Sequence, residues 1–305
     1  MCAFFDGSII NVKKNKEEFI KNLGEWKKSG INLVTAGLQG PNPFREYYKK
    51  ARERDKTKDM TFRSSAINSD GSLDKNYLKN LEEIITAANN AGIYVLLNIL
   101  STACEDIFED EYALLSGIFN AADMLLEKNY PNVFVNLTDV SHTFFKSSVL
   151  CGEGLIEILK SVREKIKRGF LLGAGIKTFS NIGEKKLSEY IRSSDFIPVY
   201  ANQAHSRQTT KNMLEKIFFF KEKIREAGED LPLIVAKGDD LSEKYNSYGK
   251  NNLSEAMETG ASWCYYDLAG FVVPQSSEIN WGKYSSPAKA NFFKTAEKYK
   301  FKLGD

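Results

Sequence analysis

Apolar residues recur along this chain in two alternating rhythms. Phe19, Ile20, Leu23 and Trp26 fall at helical spacing, and Gly30 follows as a stop. Residues 31–36 are then a short apolar run that reads as a strand. Ser72, Leu73 and Asp74 open a second helix, whose apolar face is Tyr77, Leu78, Leu81, Ile84, Ile85 and Ala88. Gly92 ends it, and residues 93–99 read as a buried strand. The alternation continues with helices over 111–128, 154–167, 184–193, 209–227, 252–259 and 287–299. The strands between them fall at 133–137, 170–173, 196–200, 233–236 and 261–266, with residues 2–5 as a shortened first strand.

Short apolar strands alternating with amphipathic helices imply βαβ units and a parallel sheet. Eight such units close naturally into a barrel, whereas an open sheet of that size usually carries a dinucleotide or phosphate fingerprint. No G-x-G-x-x-G and no G-x-x-x-x-G-K-[ST] follows any strand here. The expected fold is therefore α/β, a single (β/α)8 TIM barrel domain over residues 1–305.

Composition narrows the function without naming it. The chain has 305 residues, 42% of them hydrophobic and 12% aromatic, which suffices for a sizeable core. Charged residues make up 27% and the formal net charge is +2, so neither nucleic acid nor an anionic membrane is an expected partner. No stretch approaches the roughly 20 apolar residues of a membrane span. Met1 to Gly7 shows neither a basic region nor a long apolar core, so a cytoplasmic location is the default expectation, or an extracytoplasmic one if the N-terminus is trimmed. Cys2, Cys104, Cys151 and Cys264 lie far apart and read as reduced thiols. The two histidines, His142 and His205, follow the fourth and sixth strands, with no third ligand in view. No metal and no cofactor are expected.

Two connections are long. Residues 39–71 follow the second strand and carry the charged run 45–58; residues 267–286 follow the last strand and hold Phe271, Pro274 and Trp281. Both leave the C-terminal ends of strands, where barrel enzymes place their sites.

Several segments resemble, in the same order, a bacterial branch of the cellulase-like glycoside hydrolases of clan A. These are Leu38-Gln39-Gly40, Asp70-Gly71-Ser72-Leu73-Asp74 with Tyr77-Leu78, Asn132-Val133-Phe134-Val135 and Ser194-Asp195-Phe196. The most specific is Gly260-Ala261-Ser262-Trp263-Cys264-Tyr265-Tyr266-Asp267, followed by Asn280-Trp281-Gly282 and Asn291-Phe292-Phe293. The resemblance implies a (β/α)8 barrel that acts on β-glycosidic bonds with retention. It also implies an acid/base glutamate, preceded by asparagine, after the fourth strand and a nucleophilic glutamate at the end of the seventh. That chemistry needs both carboxyl groups, about 5 Å apart.

This chain departs from the pattern at both positions. Asp139 falls where the asparagine is expected and Val140 where the acid/base is expected; the nucleophile position is Lys237 or Gly238. Asp139, Asp239 and Asp240 are the acids left near those strand ends and are the candidate catalytic residues. The other candidates suit sugar binding: Trp263 and Trp281 as aromatic platforms, with Gln39, Asn98, His142, Tyr200, Asn202 and Asp267 toward hydroxyls. For Trp263, core packing is the competing reading. The expected function is carbohydrate recognition, of an oligo- or polysaccharide, with weak or no hydrolysis. An active hydrolase with relocated aspartates and a non-catalytic partner-binding or structural barrel remain as alternatives.

Overall fold

The computed structural model describes residues 3–5, 16–39, 65–100, 107–138, 147–150, 152–167, 169–175, 184–200, 207–239, 252–265 and 287–300. Among these, eight strands alternate with eight helices. The strands are β1 (Ala3–Phe5), β2 (Leu33–Gly37), β3 (Tyr94–Leu100), β4 (Val133–Thr138), β5 (Leu171–Gly173), β6 (Ile197–Tyr200), β7 (Leu233–Asp239) and β8 (Ser262–Tyr265). The helices are α1 (Lys16–Lys28), α2 (Lys75–Asn90), α3 (Glu111–Lys128), α4 (Glu153–Ile166), α5 (Glu184–Arg192), α6 (Arg207–Glu226), α7 (Asn252–Glu258) and α8 (Pro287–Tyr299). All pairing among the strands is parallel, in the order β5-β4-β3-β2-β1-β8-β7-β6. The expected barrel and the expected adjacency of β2, β3 and β4 are what the chain builds.

Two boundaries differ from the hydrophobic pattern. Leu73 stays outside α2 and its backbone bridges Ile67, because the Asp74 carboxylate caps the helix by accepting from the Asn76 and Tyr77 N–H groups. Strand β7 runs three residues past the apolar stretch, to Asp239, with a register shift against β8 between Val235 and Asp239. Backbone pairing of Asp239 with Tyr265 of β8 carries the strand past its apolar stretch, and hydrophobicity does not report it.

Alternation along the strands sorts the core into two layers. Val34, Val95, Val135, Leu172, Val235 and Trp263 face outward and share one cluster with helix residues such as Phe19, Trp26, Leu81, Ile118 and Leu159. Leu33, Leu96, Phe196, Ile234 and Cys264, with Phe134 against them, form a separate cluster inside the barrel. Each fully buried aliphatic or aromatic side chain contributes about 1.5–3 kcal/mol, so the outer layer carries most of the stabilisation.

The ends of the strand order, β5 and β6, meet without a ladder. Asp195, two residues before β6, supplies the bonds instead: its N–H donates to Leu172 O at 2.8 Å, and the Leu172 N–H donates to Asp195 Oδ2 at 2.7 Å. Arg163 of α4 pairs with the same carboxylate oxygen. Gly173 allows the approach, since a Cβ there would lie 2.6 Å from the Phe196 ring and 2.8 Å from its carbonyl oxygen.

Candidate binding site at the barrel mouth

Inside the barrel, character changes with height. The lower half is the apolar cluster around Leu96, Phe134 and Phe196, with the Tyr94 ring stacked on Phe134 at 5.1 Å. Toward the C-terminal ends the same faces of β2, β3 and β4 carry Thr35, Asn98, Asn136 and Thr138, with Leu100 opposite Thr138, all buried. Strand alternation places them there, since each lies two or four residues beyond an inward apolar residue. Asn98, Asn136 and Gly173 are register partners across β3, β4 and β5, and Gly37 of β2 completes the row. Within it the Asn136 Nδ2 donates to Asn98 Oδ1 at 2.8 Å.

The strand ends are fixed by bonds from the helices around them. Tyr77 of α2 donates its hydroxyl to Gly37 O at 2.8 Å, and Tyr190 of α5 donates to Ala174 O at 2.6 Å. Burial pushes the Tyr190 phenol well above its ordinary range, so it stays a donor. At the end of β4, Thr138 Oγ1 donates to Gly175 O at 2.8 Å. Past the end of β2, the Leu38 N–H donates to Asn98 O at 2.9 Å and the Ala66 N–H to Leu38 O at 2.6 Å. The rim over β2 to β5 is thus held by bonds on several sides, as a recognition surface requires.

The candidate residues divide unevenly. Asn98 lies at the inner face of β3, in the amide pair. Gln39 follows β2 at the rim, where its backbone bridges Ser65, and its side chain is buried. Tyr200 is the last residue of β6, opposite Ala236 of β7. Asp239 ends β7 opposite Tyr265, at the same rim. Trp263 is corrected: it points away from the lumen, is fully buried, and belongs to the layer between sheet and helices. Alternation from the inward Cys264 is the reason. Asp139, Asp240, His142, Asn202, His205, Asp267 and Trp281 lie outside the described residues.

Asn136, Thr138, Tyr77 and Tyr190 were not singled out in the sequence. The first two carried a signal, being polar residues at inward parity in the upper half of an otherwise apolar strand. Tyr77 entered only as part of an apolar helix face and of a resemblance segment, and Tyr190 was not named. Among the described residues no group of three His, Cys, Asp or Glu side chains gathers to hold a metal, and no helix is long and apolar enough to cross a membrane.

No protein-family model matches the chain, and no curated protein matches it in sequence. Solved structures do match its fold. An endo-β-1,4-mannanase from Thermotoga petrophila superposes with a TM-score of 0.63 at 12% identity, over 100% of this chain and 77% of that one. A glycoside hydrolase family 5 mannosidase from Rhizomucor miehei gives 0.59 at 10% identity, over 99% and 93%. A hyperthermophilic endo-β-1,4-glucanase, solved with its substrate, gives 0.57 at 11% identity, over 90% and 89%. The chain shares the (β/α)8 fold of these glycoside hydrolases.

Proposed function

We propose that this chain binds an oligo- or polysaccharide in the mouth of a glycoside-hydrolase-like barrel and hydrolyses it weakly or not at all. One observation carries the reading. In a barrel that superposes over 100% of its length on an endo-mannanase and over 90% on an endo-glucanase, the lumen is apolar below and carries amides and hydroxyls beside Leu100 toward the C-terminal rim. Sugars present hydroxyls and apolar ring faces together, so such a surface suits them.

The weakness of turnover follows from composition. Residues 133–140 and 233–240, which hold the ends of β4 and β7, contain no glutamate. Val140 cannot protonate a leaving oxygen, and neither Lys237 nor Gly238 supplies a carboxylate to attack an anomeric carbon. General acid–base assistance typically contributes about 10²- to 10⁴-fold, so losing it with the nucleophile is close to fatal. Binding does not depend on those groups. The second reading, an active enzyme with relocated acids, draws support from Asp239, which ends β7 at the rim.

The test is calorimetric titration of manno-, gluco- and xylo-oligosaccharides alongside an assay of reducing-end release. The expected outcome is measurable affinity without a matching rate, with Trp281→Ala weakening that affinity about tenfold, as loss of a stacking platform does. Robust hydrolysis abolished by Asp139→Asn or Asp239→Asn replaces this reading with the relocated-acid one. Neither binding nor hydrolysis across the panel favours the partner-binding barrel.

A further inference from the structure

The amide pair inside the barrel is unequal. Asn98 keeps 6% of its surface and Asn136 only 2%. Asn136 Nδ2 donates to Asn98 Oδ1, which turns that oxygen toward Asn136 and leaves Asn98 Nδ2 as the other polar end. Asn136's own Oδ1 is buried and finds no hydrogen-bond partner among the described residues. A polar pair built only for stability closes its bonds, because a sealed acceptor left open costs desolvation that nothing offsets.

We infer that Asn136 is a positioning residue that holds Asn98 as a hydrogen-bond donor toward a sugar oxygen in the mouth. The inference rests on the carbohydrate reading above and adds the direction of one contact. A free asparagine amide can turn over and offer either its oxygen or its nitrogen, and a hydroxyl group satisfies both. Anchored through its oxygen to Asn136, Asn98 turns its N–H away from the pair. It therefore favours a lone pair on the ligand, from a hydroxyl or an ether oxygen. The rest of the row leaves the amides unobstructed by side chains of their own level: Gly37 stands beside Asn98 and Gly173 beside Asn136.

The experiment compares monodeoxy and monodeoxyfluoro derivatives of the tightest-binding gluco- or manno-oligosaccharide, titrated into the wild-type chain and into Asn136→Leu. A deoxy position offers nothing to an N–H donor, whereas fluorine keeps a weak acceptor and has no proton. For the wild type, the deoxy derivative at one ring position is expected to bind about tenfold more weakly, with the fluoro derivative in between. In Asn136→Leu, where the amide is no longer held in one orientation, the difference between the two derivatives narrows, and the unfolding temperature does not fall. An unchanged difference in Asn136→Leu overturns the inference and leaves carbohydrate binding standing. A wild-type chain that binds no oligosaccharide overturns both. A neutron crystal structure of the wild type with the same sugar, which tells the amide nitrogen from its oxygen, is independent of how the variant folds: Asn98 Nδ2 within hydrogen-bond distance of a sugar oxygen is expected, and an amide turned the other way, or remote from the sugar, refutes the assignment.

Discussion

A methyl group on Gly173 would meet both the ring and the backbone carbonyl of Phe196, and the carbonyl cannot rotate away. Gly173→Ala is therefore expected to destabilise the fold by about 1–3 kcal/mol, read as a lower denaturant midpoint with an unchanged slope. At this scale the sequence was only partly legible. Asn98 was recognisable as an inward amide, and its partner Asn136 obeyed the same alternation but stood in a strand read for its apolar residues. Trp263 misled for the opposite reason. An aromatic residue in a specific-looking segment invites a role in binding, yet one step of parity from Cys264 turns it onto the helices. Residue type suggests chemistry, and only strand direction says which side receives it.

Elements were more legible, because periodicity integrates over many residues. Helices α3 and α8 follow the hydrophobic pattern at both ends, and β7 outruns it because backbone pairing extends where apolar character stops. Several segments that carry the family resemblance act at element boundaries. Asp74 caps α2. Asn132 donates from Nδ2 to Ile85 O and Ile93 O, tying the approach to β4 against α2 and β3. Asp70 accepts the Ser72 N–H, and its hydrogen bonds to Ser72 hold its carboxyl below the usual range. These residues build a barrel whatever the barrel does, so the resemblance located the fold more firmly than the chemistry. Replacing Asp74 with alanine removes an acceptor shared by two N–H groups and is expected to cost about 1 kcal/mol, visible as a lower unfolding temperature. An equal stability in Asp74→Ala would mean that solvent replaces the cap.

For the whole molecule, the seam between β5 and β6 has a consequence for assembly. Two edge strands present backbone donors and acceptors in a row, and such edges template pairing with another chain. Here the edge of β5 is occupied at Leu172 by the main chain and carboxylate of Asp195, with Arg163 steadying the carboxylate. Asp195→Ala frees the Leu172 N–H and leaves Arg163 without its anion. The variant is expected to refold with more aggregate than the wild type at equal concentration, measured by light scattering after dilution from denaturant. The excess should grow with protein concentration, as intermolecular strand pairing demands. One carboxylate at the seam is thus expected to keep the edge of β5 from pairing with a neighbouring chain.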